Sequence, residues 1–252
     1  MTLQIGPFPL LSYKHILFAI CYWGLAITIG ILLRKIPHKY VKLILIIMTA
    51  VFLPCEVYKA YNRISGNPGN VYNWLYYPYC ALFVPALVYS LIPNKHIEKL
   101  GLTFLAFGCF WGGFMYMTNP GGGIIDHPLF HPSTIYGTMF HFSMLTISIT
   151  VLSTGYIKPT AKDFIYYGIF MFIACVPSLI LNGIYGSNLL FLDNPIGAPI
   201  LNDIYLWCQP VYCLVSLFGQ GVAFYFMGLG MYKGIIYIIN KIRVKKGLAL
   251  IG

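Results

Sequence analysis

Residues 43–53 read LILIIMTAVFL, an unbroken apolar run without a charged side chain. A lipid-facing β-strand would alternate apolar and polar side chains over about 10 residues, and this run does not alternate. A helix needs about 20 mostly apolar residues to cross a bilayer. The apolar character around the run extends over residues 40–61. These residues are therefore predicted to form a transmembrane helix.

Other stretches of similar length and composition follow the same rule. They predict further spans near 12–33, 74–93, 99–118, 133–154, 163–183 and 207–232. The sequence of 252 residues is 59% hydrophobic and 9% charged, whereas soluble domains carry about 25% charged residues. A water-soluble fold is excluded. No long linker divides the chain, so we predict one all-α domain over residues 1–252, a seven-transmembrane-helix bundle.

The basic residues orient the predicted bundle. Of 16 lysines and arginines, all but Lys14, Lys59 and Arg63 fall on one side of the membrane. The positive-inside rule makes that side cytoplasmic, with the N-terminus outside and the C-terminus cytoplasmic. The expected location is the cell membrane, as a multi-pass protein. The net charge of +10 is explained by anionic inner-leaflet lipid and requires no nucleic acid. The sequence indicates no particular protein partner.

Unusual side chains from five predicted spans fall at one depth, because each helical residue rises about 1.5 Å. They are Glu56, Cys80, Trp111, His141 and Asn182. If these side chains face the bundle axis, they line one polar cavity in the outer half of the bilayer. Polar groups inside spans are costly and mark functional sites, so this cavity is the predicted site.

Cys80 and His141 could act together, because a histidine that takes the thiol proton generates a nucleophilic thiolate. The simpler alternatives are that His141 is structural and that Cys80 is a small packing residue. For Glu56, the simpler alternative is an ion pair with Lys59, one helical turn away. Tyr79 belongs either to an interfacial aromatic belt or to the predicted site.

A metal site is a further alternative in the loop between the fourth and fifth predicted spans. Asp126, His127 and His131 are suitable zinc ligands. A proline directly follows each of the two histidines and disfavours the helix that would bring them together. We therefore predict a solvated loop and no metal. The glycines at 121–123 lack the lysine of a phosphate-binding loop, and no cofactor is predicted.

An ordered series of short motifs extends from the second span to the loop before the last one. The series is Glu56, Pro78-Tyr79-Cys80, Phe110-Trp111-Gly112, Thr118-Asn119-Pro120, His141, Asn182 and GSNLLFLDNP at 186–195. In order and spacing, over roughly residues 50–200, it resembles the YwaF-like bacterial integral membrane proteins. These are related to a mammalian transmembrane acyltransferase that remodels ether phospholipids.

The resemblance implies a seven-helix fold and, for the acyltransferase branch, a cysteine and a histidine that handle an acyl chain. Cys80 and His141 match these two residue types by position. The family pattern has a histidine two residues before the cysteine, where this sequence has Pro78. The segment that resembles GTNYMFL reads GSNLLFL at residues 186–192.

Two hypotheses follow. In the first, the chain is a lipid-acting acyltransferase or transacylase with Cys80 as nucleophile and His141 as general base. The remaining predicted site residues then bind substrate, with Asn182 or the Trp111 N–H stabilising the oxyanion and Glu56 orienting His141 or binding a lipid headgroup. Tyr79 is assigned to headgroup binding.

In the second hypothesis the protein is not an enzyme, and its cavity binds a small or lipidic ligand. It would be a receptor, a transporter or the membrane subunit of a complex. Transporters often contain discontinuous helices near the midplane. Pro54, Pro78, Pro85 and Pro177 are the positions at which helices are expected to break.

Overall fold

The computed structural model describes residues 9–66, 78–118, 124–195 and 199–245. Within these residues it is helical and contains no β-strand. The α-helices are α1 (Tyr13–Leu32), α2 (His38–Gly66), α3 (Phe83–Leu91), α4 (Lys95–Thr103), α5 (Cys109–Tyr116), α6 (Pro132–Ser153), α7 (Phe164–Tyr185), α8 (Pro199–Trp207), α9 (Gln209–Phe218) and α10 (Phe224–Lys245). Short 3₁₀ turns precede α3 at Tyr79–Leu82 and α7 at Ala161–Asp163, and another lies at Leu189–Phe191.

Five helical segments are long and apolar enough to cross a membrane. They are Tyr13–Lys35, His38–Gly66, Pro132–Ser153, Ala161–Tyr185 and Gln209–Lys245. The chain is therefore a multi-pass membrane protein, as the composition predicted. The third and fourth predicted spans correspond to the shorter apolar helix Tyr79–Leu91 and to the continuous helical run from Lys95 to Tyr116. The count of seven spans and the direction of the chain across the membrane stay predictions.

Several predicted boundaries differ from the observed ones. The last helix continues to Lys245 instead of ending at 232, because residues 234–239 (GIIYII) are also apolar and the basic residues after them fit a regular helix. The third helical segment begins at Tyr79, after the extended backbone of Pro78 (φ −92°, ψ 155°); the predicted residues 74–77 lie outside the described part. α8 occupies a stretch that was predicted to be a loop.

The prolines do not break the long helices as the second hypothesis expected. Pro54 lies inside α2 and Pro177 inside α7, and both helices continue past them. Pro85 lies in the first turn of α3, where a missing backbone N–H costs little. Of the four prolines that were expected to break helices, only Pro78 stands at a helix boundary. It lies immediately before the turn that carries Cys80.

Close backbone contact holds the centre of the bundle together. A Cβ atom on Gly101 of α4 would lie 2.4 Å from the Ala86 carbonyl oxygen of α3. A Cβ atom on Gly113 of α5 would lie 2.6 Å from the His141 carbonyl oxygen of α6. Small residues at such crossings are typical of membrane helices, whose association depends on packing.

One end of the bundle is formed by the connections between α1 and α2 and between α6 and α7. His38 Nε2 donates a hydrogen bond to the Thr154 carbonyl (3.3 Å). Lys99, near the start of α4, forms an ion pair with Asp163 (2.6 Å). Tyr225 of α10 donates to the Thr160 carbonyl (2.7 Å). The predicted site residues lie toward the other end.

Two π-turns interrupt the helical runs, at Phe104–Gly108 between α4 and α5 and at Gly219–Ala223 between α9 and α10. A π-turn widens the helix by one residue and leaves carbonyl groups without their usual partners. In lipid such groups need an internal donor. Ser148 Oγ donates to the Ala106 carbonyl (2.6 Å), and Tyr167 Oη donates to the Gln220 carbonyl (2.8 Å).

Candidate functional site

A cavity of about 1670 Å³ lies between the C-terminal half of α2, the turn before α3, α5, the first turns of α6 and the last helix. Ligand pockets for small molecules are typically about 300–1,000 Å³, so this space is large enough for a bulkier amphiphile. Five predicted site residues line it, namely Glu56, Tyr79, Cys80, Trp111 and His141. Asn182 is not among the lining residues.

The hydrogen bonding of His141 identifies its protonated nitrogen. Its Nδ1 lies 2.7 Å from the Gly137 carbonyl oxygen, one turn earlier in α6. Because a carbonyl oxygen can only accept, Nδ1 carries the proton of the neutral ring. Nε2 is then the unprotonated nitrogen, and no group in the described part of the chain donates to it. The ring therefore presents a base to the cavity.

Tyr116 holds the imidazole of His141 from the side. The two rings stack with centroids 3.8 Å apart and planes at 5°. The Tyr116 hydroxyl fits beside Gly137, where a Cβ atom would lie only 3.0 Å from it. Sequence reasoning missed Tyr116, because a tyrosine near a span end is usually an interfacial belt residue.

Cys80 lies in the 3₁₀ turn before α3 and lines the same cavity. In the predicted span 74–93 it would lie about two turns inside a helix, whereas it stands at the start of the described helical segment. Gly112 lies beside the thiol: a Cβ atom there would be in ordinary contact with Sγ at 3.8 Å, whereas it would lie only 2.6 Å from Met144 Cε. No hydrogen bond joins Sγ with the His141 ring. The structure thus brings the two residues to one cavity without direct contact.

Glu56 is the centre of a charged group at the cavity wall. Its Oε1 accepts hydrogen bonds from Lys59 Nζ and from Tyr136 Oη, both at 2.6 Å. The ammonium group of Lys59 lies 5.0 Å from the centre of the Tyr136 ring. The ion pair with Lys59, the simpler alternative for Glu56, is therefore present. The cavity wall therefore carries a carboxylate and an ammonium group side by side.

Two other predicted residues have polar groups that are already engaged. Trp111 Nε1 donates to the Phe224 carbonyl in the last helix (2.9 Å), so the oxyanion role assigned to it has no free N–H. Tyr79 is buried, and its hydroxyl lies 3.0 Å from that of Tyr167. Since Tyr167 donates to the Gln220 carbonyl, Tyr79 donates to Tyr167. Tyr79 therefore contributes its ring to the cavity wall, and it is not an interfacial belt residue.

Asn182 holds a turn near the end of α7. Its Oδ1 accepts from the Leu189 N–H and from Ser187 Oγ, both at 2.8 Å, and its Nδ2 donates to the Leu189 carbonyl (3.1 Å). The side chain is buried. The oxyanion role assigned to Asn182 is not compatible with this position, because its amide binds the loop and the residue does not line the cavity.

The last helix contributes a row of lining residues that sequence reasoning missed. These are Tyr212, Ser216, Gln220 and Phe224. In a regular α-helix, each step of four residues advances about 40° past a full turn, so such a row would drift away from the cavity. The wider π-turn at Gly219–Ala223 offsets this drift. The four-residue spacing is visible in the sequence, whereas the π-turn is not.

Gln220 has one engaged and one unengaged amide atom. Its Nε2 donates to the Leu190 carbonyl (2.9 Å), which fixes the orientation of the amide. Its buried Oε1 has no hydrogen-bond partner in the described part of the chain. An acceptor left without a partner in a buried position is destabilising by about 1–3 kcal/mol.

The two histidines of the loop before α6 contact each other and the start of that helix. His127 and His131 stack with ring centroids 4.2 Å apart, and His131 Nδ1 accepts from the Ser133 N–H at the start of α6. Asp126 lines the cavity. Within the described ranges, no three His, Cys, Asp or Glu side chains come together as metal ligands.

A helical bundle with several segments long enough to cross a membrane, and with a large cavity between them, defines a polytopic membrane protein with a ligand-sized pocket. The chain belongs to the TMEM164 family, whose family model matches residues 10–239. No curated protein and no solved structure matches the chain.

Proposed function

We propose that this protein binds a phospholipid in its cavity and transfers an acyl group by way of Cys80, with His141 as general base. The observation that carries the proposal is that a thiol and an imidazole with an unprotonated Nε2 line the same cavity. The resemblance to the YwaF-like proteins, and through them to an acyltransferase of ether phospholipids, points to the same two residues. The cavity, lined largely by aromatic and aliphatic side chains, suits an acyl chain.

The proposed reaction has two steps. A thiol is a weak nucleophile until a base removes its proton. His141 Nε2 takes the proton of Cys80, and Sγ attacks the ester carbonyl carbon of the phospholipid. The C–O ester bond breaks, and the leaving alkoxide of the lysophospholipid takes the proton from Nε2. In the second step an acceptor alcohol gives its proton to Nε2 and attacks the thioester, which restores the thiol.

The surroundings of His141 support its assignment as base. A catalytic base works best when a third group fixes its orientation. Here the Gly137 carbonyl holds Nδ1–H, and the Tyr116 ring covers one face of the imidazole. Cys80 would approach Nε2 when substrate binds, since catalytic hydrogen bonds are often formed only in the complex.

The charged group around Glu56 offers a binding position for the polar headgroup of the bound lipid. Lys59 is 39% exposed and can exchange its contact with Glu56 for a phosphate group. In this proposal the protein lies in the cell membrane, and the cavity is open to the outer leaflet. The basic residues at the other end contact anionic lipid of the inner leaflet.

A non-enzymatic lipid- or ligand-binding role is the second candidate. It is favoured by the Trp111 N–H, which is engaged with the Phe224 carbonyl, and by the position of Asn182 outside the cavity, so that neither predicted oxyanion donor reaches a bound ester. The family histidine that Pro78 replaces points in the same direction. In this role Cys80 and His141 are parts of the wall, and the ligand is bound unchanged.

Acyl-enzyme trapping tests the proposal. Purified protein is incubated with phospholipid labelled in the acyl chain, and label on the protein is released with neutral hydroxylamine, which cleaves thioesters. We expect hydroxylamine-sensitive label on the wild type and none on Cys80→Ser. Cys55→Ser is the matched control, because Cys55 lines the same cavity and its variant should retain the label.

Two results would contradict the proposed chemistry. Thioester label that persists in Cys80→Ser excludes Cys80 as the acceptor. Absence of label in a wild type that is thermally stabilised by phospholipid, with the same stabilisation in a variant lacking both Cys80 and His141, supports the binding role instead.

A further inference from the structure

The loop after α7 has an unusual backbone at Leu190 and Phe191. Both residues have positive φ, 55° and 57° respectively. This left-handed region is unfavourable for residues with a Cβ atom. Strained residues persist where the surrounding structure fixes them, and they are common at ligand-binding sites.

Hydrogen bonds from two helices fix this loop. Asn182 of α7 binds both the N–H and the carbonyl of Leu189. Gln220, in the π-turn after α9, donates to the Leu190 carbonyl (2.9 Å), and Tyr212 of α9 donates to the Phe191 carbonyl (2.5 Å).

The loop is also tied internally. Asn188 Oδ1 accepts from the N–H groups of Asp193 (3.1 Å) and Asn194 (2.9 Å). The Asn188 side chain therefore closes the segment from residue 188 to residue 194 into one hydrogen-bonded loop. The loop is held in one conformation from both of its sides.

The backbone conformation separates two adjacent side chains. Leu190 is fully buried and belongs to the hydrophobic core, while Phe191 lines the cavity. The 3₁₀ turn Leu189–Phe191 packs against the 3₁₀ turn that carries Cys80. An apolar chain attached to Cys80 therefore begins its path beside the turn that carries Phe191.

We propose that Phe191 is a specificity-determining residue that limits the length of the acyl chain admitted to the cavity. The inference rests on the proposed function, in which the cavity binds an acyl chain. A rigid aromatic side chain presented by a fixed loop forms a wall that the ligand cannot displace. A flexible loop would adapt to chains of any length.

Competition between chain lengths tests this inference. Wild-type protein is reconstituted with phosphatidylcholines that share one headgroup and differ in acyl-chain length, and bound lipid is measured by native mass spectrometry. Phe191→Ala should raise the ratio of long to short bound chains by about tenfold or more, since a single methylene in an apolar pocket already changes discrimination by about 10–200-fold. Phe191→Leu should shift it less, and it provides a folded variant if the alanine change disrupts the loop.

Two control variants distinguish the effect of the Phe191 side chain from the effect of the loop that holds it. Phe172→Ala removes an exposed phenylalanine of α7 (67% exposed) and should leave the chain-length ratio unchanged. Tyr212→Phe keeps the ring in the cavity and removes the hydrogen bond to the Phe191 carbonyl. It should broaden the range of bound chains without favouring the longer ones.

The outcomes distinguish the inference from the proposed function. An unchanged chain-length ratio in folded Phe191→Ala and Phe191→Leu overturns the role of Phe191, while bound lipid in these variants leaves lipid binding standing. A wild-type protein that retains no phospholipid overturns the proposed function itself, and with it the basis of this inference.

Discussion

His15 and His141 lie between helices in two different regions of the bundle and differ in their hydrogen bonds. His15, at the start of α1, is 3% exposed. Its Nδ1 accepts from the Leu11 N–H (3.2 Å), and its Nε2 donates to the Met117 carbonyl (2.9 Å). His141 Nδ1 donates to the Gly137 carbonyl, whereas its Nε2 has no hydrogen-bond partner in the described part of the chain. The number of engaged ring nitrogens thus separates a structural histidine from a candidate base.

The largest expected effect comes from removing the unengaged nitrogen. In His141→Asn the amide can still donate to the Gly137 carbonyl, but nothing replaces Nε2. The rate of thioester formation should fall by about 10²–10⁴-fold, the usual contribution of a general base, with little change in melting temperature. The measurement is the time course of acyl labelling.

The matched variant is His15→Gln, whose amide keeps a donor for the Met117 carbonyl. It should label at the wild-type rate. Equal labelling rates in His141→Asn and the wild type would remove the functional difference between the two histidines.

The second-largest effect is expected from crowding the backbone contact between α5 and α6 that positions His141. Gly113→Ala places a Cβ atom 2.6 Å from the His141 carbonyl oxygen and 2.7 Å from the Leu145 nitrogen, so α5 and α6 must separate. We expect a loss of about 3 kcal/mol in stability, at the upper end for overpacking, seen as a lower melting temperature in detergent. In Gly24→Ala of α1, where no atom lies within 4 Å, stability should be unchanged or higher.

The smallest effect is expected at His15. His15→Leu removes two hydrogen bonds, each worth about 1 kcal/mol, so stability should fall by about 2 kcal/mol. Acyl labelling by the folded protein should proceed at the wild-type rate, because His15 does not line the cavity. A variant that keeps its melting temperature but loses labelling would reverse the assignments of the two histidines.

The membrane class of the fold could be predicted because its cause is local. A run such as residues 43–53 cannot be solvated by water, whichever neighbours it has. The two π-turns could not be predicted, since they are supported by contacts between distant residues. Ser148 supports one π-turn from α6, and Tyr167 supports the other from α7.

The sequence could predict that residues from several spans meet at one cavity, but not the direction of each side chain. Counting residues along each span placed Glu56, Cys80 and His141 at a common level, and all three line the cavity. The same count placed Asn182 there, although its side chain turns into the loop after α7. Depth follows from the helical rise, whereas the direction of a side chain depends on how each helix is rotated against its neighbours.

The π-turn at Gly219–Ala223 makes the length of the last helix as important as its composition. Because the π-turn absorbs one residue without advancing the helical phase, a regular α-helix with the same number of residues would rotate everything beyond this segment by about 100°. Gly228, which lies against Phe107, would move off that contact, and Tyr225 would lose Thr160. A deletion of one residue within the π-turn would instead give a regular helix in which every residue up to Lys245 keeps its phase. Related chains that lack one residue here should therefore have a regular helix with the same contacts beyond it.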